Sequence, residues 1–189
     1  YWILRKDFFE LKKKARVPAD SIERILIIFG GSDPLNLTSA VLDVLLELND
    51  HYLFDVVLGG GFTFMTDLNH VLRKYTNKRK EVNLYQNINN VSKVMFDADL
   101  AITSPGLSLF ESLCVGTPVI AFHQNSIQKA RTAQVYKGFI PTLSISDICM
   151  LPDMISKRQF IYPEDTFVQN LEIGQGKEEI IDHILRGLD

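Results

Sequence analysis

A chain of 189 residues, 46% hydrophobic and 23% charged, has the composition of a globular protein of one domain or at most two, which excludes a disordered or fibrous chain. Twenty Lys and Arg against 23 Asp and Glu give a net charge of −3 and a pI near 5.8, away from the basic footprint of a dedicated nucleic-acid binder. No apolar run approaches the roughly 20 residues of a membrane-spanning helix, and Cys114 and Cys149, in separate apolar contexts, offer neither a disulfide framework nor a zinc-ligand spacing.

The amino end carries Tyr1-Trp2-Ile3-Leu4 and then Phe8, Phe9 and Leu11, with Lys12, Lys13, Lys14 and Arg16 close behind. It has no secretory pattern, because charges interrupt the apolar residues. So much apolar surface calls for something to cover it. A membrane-surface helix is one reading; a linker leading from an upstream domain is the better one. Residues 1–20 are therefore expected to be an interdomain linker helix and 21–189 the domain it serves, in a fragment of a longer protein.

From residue 25 onwards short apolar runs alternate with helical patterns. Ile25-Leu26-Ile27-Ile28-Phe29 is a continuous β-rich run, as expected of a strand covered on both faces. Gly30-Gly31-Ser32-Asp33-Pro34 ends it, and Val41, Val44, Leu45 and Leu48 then recur at helical spacing. Residues 54–58 read as a second strand stopped by Gly59-Gly60-Gly61, and 63–75 as a helix closing near the basic run Lys78-Arg79-Lys80. Strands follow at 82–85, 100–103 and 119–122, with helices at 90–97, 107–115 and 126–137. Beyond that Pro141, Pro152 and Pro163 suggest an irregular stretch until a last helix at 178–185.

This alternation predicts an α/β fold, a Rossmann-like, doubly wound, mostly parallel sheet with helices on both faces. Right-handed crossovers gather the loops after the strands along one edge, where such sheets bind ligands. The loops that matter are then 30–36, 59–62, 86–90, 103–108 and 123–128. In the first, Gly30-Gly31-Ser32 could offer amides to a phosphate at a helix N-terminus, or simply form a turn in which Ser32 or Asp33 caps the helix. The pattern is neither G-x-G-x-x-G nor a Walker loop. Gly59-Gly60-Gly61 reads as a turn.

The segment Ser104-Pro105-Gly106-Leu107-Ser108-Leu109-Phe110-Glu111 joins a buried strand to a helix. A diphosphate there would meet the positive end of the helix dipole, and Glu111, one turn on, could accept hydrogen bonds from vicinal ribose hydroxyls. Ser108-x-x-Glu111 is equally a capping box. Phe110 stands where a nucleophile elbow needs its last glycine, which argues against a serine hydrolase. His123-Gln124-Asn125 with Gln128 put several neutral polar side chains at the ligand edge, which suits recognition of sugar hydroxyls or an acyl-amide group, although Asn125 or Ser126 could act only as a helix cap. His51, His70 and His183 are isolated, Asp97 and Asp99 read as terminators, and no catalytic base stands out.

Taken together, these segments resemble the C-terminal domain of the GT-B glycosyltransferase superfamily. They are most similar to the UDP-sugar hydrolases of pseudaminic acid biosynthesis and to the glycosyltransferase-like proteins of spore-coat polysaccharide biosynthesis. The match is carried by Leu4-Arg5 with Phe8, by Gly30-Gly31-Ser32-Asp33-Pro34-Leu35-Asn36-Leu37-Thr38, by Asn87-Ile88, by Ala98-Asp99-Leu100-Ala101-Ile102, and by Ser108 to Glu111. Gly116-Thr117-Pro118, Gln124-Asn125 and the Gly174 to Gly176 stretch complete it.

The resemblance implies a substrate site made of Gly30, Gly31 and Ser32 beside the phosphates, the Ile88 backbone on the uracil, Leu107 and Ser108 on the diphosphate, Glu111 on the ribose, and Gln124 and Asn125 facing the sugar. His123 stands where relatives have proline, which leaves the sugar open. The resemblance further implies a UDP-sugar as partner, no cofactor, no metal, a cytoplasmic setting, and an N-terminal domain, absent from this chain, that supplies the catalytic base. On that reading the intact protein is a UDP-sugar hydrolase or transferase of bacterial surface polysaccharide or nonulosonate biosynthesis, and this chain alone binds but does not catalyse. The alternatives are a stand-alone doubly wound binding or regulatory module docked through its apolar amino end, and a non-hydrolysing sugar-nucleotide epimerase, against which Gly30 to Pro34 argue.

Overall fold

A computed structural model of the chain describes residues 4–14, 16, 20–48, 51–76, 80–135, 142–169, 173 and 176–186. Tyr1, Trp2, Ile3, Asn49, Asp50, Lys78, Arg79, Lys137, Pro141 and Gly174 lie outside the described residues.

The strands β1 (Arg24–Ile28), β2 (Leu53–Leu58), β3 (Glu81–Gln86), β4 (Leu100–Thr103), β5 (Val119–Phe122) and β6 (Thr142–Leu143) form one sheet in the order β3-β2-β1-β4-β5-β6. Every pairing along it is parallel. The doubly wound, Rossmann-like architecture expected from the alternation is the one observed, with the reversal of strand order between β1 and β4.

Alternation along β1 explains why its run is apolar throughout. Ile25, Ile27 and Phe29 enter a core with α2 (Leu37–Glu47), α3 (Met65–Lys74) and α7 (Leu151–Ser156), while Leu26 and Ile28 enter the core on the other face. That second core is closed by α1 (Lys6–Lys12), α4 (Val91–Asp97) and α5 (Leu107–Cys114). The remaining helices are α6 (Ser126–Val135), α8 (Thr166–Gln169) and α9 (Gly176–Arg186).

The described part of the amino end packs onto the second core, with Phe9 and Leu11 only partly buried. Leu4 is buried and Phe8 is fully buried among α4 and α5, so the chain covers these side chains itself. Arg16 is likewise structural. Its guanidinium donates to the carbonyls of Phe96 (2.7 Å) and Ala98 and to the Thr117 hydroxyl (2.8 Å), which accounts for it without a membrane or an anionic ligand.

The stretch after α6 is more regular than its prolines suggested. It holds β6, a 3-10 helix over Ile145–Met150, then α7 and α8. Pro152 sits in the first turn of α7, where its missing N–H would have had no partner in any case, so it starts a helix instead of breaking one. Two residues of strand are too short for any periodicity to reveal. Below β6 an antiparallel bridge between Val119 and Ile161, with both N···O distances at 2.9 Å, continues the covering of β5. No described helix is long and apolar enough to cross a membrane.

Candidate functional site

The crevice at the switch between β1 and β4 opens into a cavity of about 650 Å³. All nine residues expected to bind substrate line it: Gly30, Gly31, Ser32, Ile88, Leu107, Ser108, Glu111, Gln124 and Asn125. Gly59, Gly60 and Asn87 share the wall although the sequence marked the glycines only as a turn.

The loop after β1 is shaped by Gly30, at φ +77°, and by Asp33 and Asn36, also in the left-handed region at φ +46° and +52°. That turn aims the Asp33 carboxylate at the start of α2, where it accepts from the amides of Leu37 (2.9 Å) and Thr38 (2.8 Å). Asp33 thus satisfies two of the opening amides of α2 from outside the helix, whose N-cap residue is Asn36. Ser32 makes no such bond and remains in the cavity wall. Gly59 is required by crowding, since a Cβ there would collide with the carbonyls of Gly30 and Gly31. The Gly61 amide donates to the Gly31 carbonyl at 2.8 Å and locks the two loops together. This wall follows from β2 lying beside β1, a fact of topology that no local motif carries.

At Gly31 and Gly106 the situation is the reverse. A Cβ built at either would meet nothing within 4 Å. Packing does not demand glycine at these two cavity-lining positions, but a ligand against the backbone would.

Gly106, in extended conformation, is the residue before α5, and no side chain caps that end. Ser108 lies inside the helix, so Ser108 and Glu111 do not form a capping box. Gly106, Leu107 and Ser108 line the cavity, so the positive end of the α5 dipole lies at its wall, while the Leu109 amide donates to the Gly106 carbonyl at 3.2 Å. Glu111 is 7% exposed, and no hydrogen bond reaches its carboxylate among the described residues. Burial pushes this carboxyl above its usual range; Arg5 pulls it down and Asp7 pushes it up. It is the sole ionisable side chain among the described residues that line the cavity.

On the far wall Gln124 donates from Nε2 to the Phe29 carbonyl at 2.8 Å, tying the end of β5 to the end of β1. Asn125 does cap α6, its Oδ1 accepting from the Gln128 amide at 2.8 Å, and Gln128 in turn accepts from the Gln124 amide at 2.7 Å. His123 does not line the cavity. Its amide donates to the Leu143 carbonyl, its Nδ1 is buried with no hydrogen-bond partner among the described residues, and burial lowers its pKa, with Lys129 adding to this and Asp147 opposing it. Among the described residues no cluster of three or more His, Cys, Asp or Glu side chains could hold a metal ion.

The fold defines the class. A six-stranded parallel sheet of this order, with its helices, matches the GT-B fold of MurG from Acinetobacter baumannii, at a TM-score of 0.66 and 16% identity over 98% of this chain and 53% of that one. The UDP-GlcNAc 2-epimerase of Neisseria meningitidis, solved with UDP-GlcNAc bound, aligns at a TM-score of 0.52 and 13% identity over 94% of this chain and 48% of that one. At such identities the likeness is one of fold. In sequence the chain is similar to an uncharacterized protein of Methanocaldococcus jannaschii, 38% identical over 186 residues, and to the spore coat polysaccharide biosynthesis protein SpsG of Bacillus subtilis, 25% identical over 180. It covers 36% and 49% of the lengths of these two relatives. No protein-family model matches the chain.

Proposed function

We propose that this chain is the nucleotide-sugar-binding half of a GT-B-type protein and that its ligand is a UDP-sugar. The observation that carries the reading is Glu111: a carboxylate held in a cavity, engaged in no cap and no ion pair among the described residues. A buried acceptor of this kind is stabilised only when donors arrive, and two vicinal hydroxyls of a ribose supply them. The amides opening α5 suit the diphosphate, and Gly31 and Gly106 leave it room. Ile88 would then lie beside the base, and Gln124 and Asn125 beside the sugar.

Among the described residues that line the cavity Glu111 is the one ionisable side chain, and on this reading it is engaged with the ribose and not with the anomeric carbon. The reaction, attack by water or by an acceptor hydroxyl with UDP as leaving group, would need groups from outside this chain. Here the chain's part is to bind the nucleotide and to stabilise the charge that develops on the departing diphosphate. Hydrolase and transferase use this half alike. The similarity to SpsG favours a role in polysaccharide biosynthesis. Of the apolar amino end on which the docking-module reading rests, Leu4 and Phe8 are buried within the chain's own core.

Calorimetric titration with UDP, and with CMP and ADP as controls, tests the reading. Saturable binding of UDP that Glu111→Ala weakens by about tenfold or more is expected, the size of a lost hydrogen-bonded charge. Equal binding of all three nucleotides, or binding indifferent to Glu111, would overturn it.

A further inference from the structure

A second cavity, of about 350 Å³, opens at the end of α5 remote from the cleft. The eight residues of α5 hold the two apart by about 12 Å. Leu113, Val115, Val168 and Ile173 give this cavity an apolar back, and its charged groups are Lys12, Lys14, Arg16 and Glu164. None of these residues lines the nucleotide cleft.

The three cations are not equivalent. Both terminal nitrogens of Arg16 are engaged, with the carbonyls of Phe96 and Ala98, the Thr117 hydroxyl and Asp99, and its stem lies against Gly116. It lends the cavity a charge and little more. Lys12 reaches from α1 to another part of the lining, where its ammonium donates to the Ile173 carbonyl at 3.5 Å, the limit of a hydrogen bond. That reach holds the ammonium in the cavity with further donors to spare. Lys14 makes no side-chain hydrogen bond or ion pair among the described residues, and neither does Glu164.

The end of α5 does not account for the lysines. Lysines often serve the free carbonyls of a helix C-terminus. Here the carbonyls of Glu111, Ser112 and Leu113 already accept from the amides of Val115 (3.3 Å), Thr117 (2.9 Å) and Gly116 (3.2 Å). Two ammonium groups are thus left at an apolar recess, with no carboxylate paired to either among the described residues.

We propose that this cavity is a second binding site, for a phosphate monoester, with the phosphate between Lys12 and Lys14 and its organic part against the apolar back. A carboxylate is best read by the planar fork of an arginine, and the terminal nitrogens of Arg16 are engaged. Compact ammonium groups on flexible stems act as point charges and suit a tetrahedral dianion. The volume lies at the small end of ligand pockets, which fits a phosphate on a short organic body. The site stands whether or not the cleft takes a nucleotide.

The test is an amide NMR titration of the whole chain with glycerol 3-phosphate. Saturable shifts centred on Leu113 to Gly116 and Val168 are expected. Lys12→Gln and Lys14→Gln should each weaken binding by about fivefold or more, whereas Glu164→Gln should tighten it by about twofold. All three side chains are exposed, so the melting temperature of each variant should stay at the wild-type value. Phosphatidylcholine vesicles carrying phosphatidic acid form a second arm, since that lipid bears the same phosphate monoester. Flotation with them that needs Lys12 and Lys14, without a response to glycerol 3-phosphate, sustains the site and assigns it to a lipid headgroup. Shifts confined to Gly30 to Ser32 and Leu107 to Ser108, shifts that never saturate, or binding indifferent to both lysine variants overturn it. Saturable binding of a polyglutamate peptide in place of either phosphate makes the lysines a peptide dock and overturns it as well.

Discussion

A carboxylate only 7% exposed, with no hydrogen-bond donor among the described residues, raises the free energy of the fold it sits in. Because burial lifts the pKa of Glu111 above its unfolded value, the folded chain takes up a proton more readily than the unfolded one. Its contribution to stability is therefore present below the unfolded pKa and lost as pH rises through the folded one. Glu111→Gln is thus expected to melt no lower than wild type at pH 8, and higher if anything, while losing UDP affinity. A drop in melting temperature would mean that the carboxylate serves the fold. Gly31→Ala makes the complementary test. Since its Cβ would meet nothing within 4 Å, the variant should keep wild-type stability to within about 0.5 kcal/mol by thermal melting and still bind UDP more weakly. At this scale the sequence was informative about the cleft's first and fourth loops, where Gly30 and Gly31 and the Ser108 to Glu111 turn lie next to strands. It left capping and ligand binding undecided for Glu111 and for Asn125. Chain geometry separates them: Asn125 caps its helix and Glu111 does not.

Within the sheet, β2 carries a residue that a strand covered on both faces should not contain. Asp55 is fully buried, yet it accepts from Arg24 on β1 (3.1 Å) and from the Asn83 amide (2.9 Å) and the Tyr85 hydroxyl (3.2 Å) on β3. Asp55 and Asn83 are register partners, so a slip of β3 by one residue would turn both donors to the opposite face. The network acts as a staple across three strands, at the edge where β3 is mostly exposed. Asp55→Ala strands those donors and should cost about 3 kcal/mol, read as a lower urea midpoint. Arg24→Ala removes only a part-exposed partner and should cost less. The strands themselves were legible because each is a short apolar run ending in a turn; β1 to β5 fall within one residue of their expected ends. What could not be read was the covering of the edge beyond β5. There the elements are too brief for periodicity, and Pro152 signals a helix start only once the residues around it are known to be helical.

Over the whole molecule, a net charge of −3 surrounds a cavity that holds one carboxylate and no lysine or arginine among its described lining residues. A diphosphate approaching such a surface gains from amides and a helix dipole at short range and is opposed at long range by the overall charge. These two contributions respond differently to salt. Backbone hydrogen bonds in a cleft are little screened, whereas the repulsion of the molecular surface fades within a Debye length, about 10 Å at 0.1 M and shorter above it. Arg5 does not line the cavity, and the ion pair it makes is with Asp7, at 3.9 Å. UDP affinity for this chain should accordingly change by no more than about twofold between 50 and 500 mM salt, with any change toward tighter binding. A protein that neutralises phosphates with cationic side chains behaves in the opposite way and loses affinity steeply. A fall of tenfold or more in calorimetry at the higher salt would therefore show that an arginine or lysine reaches the phosphates in solution. The assignment of the diphosphate to the α5 amides would then be wrong even if UDP binds.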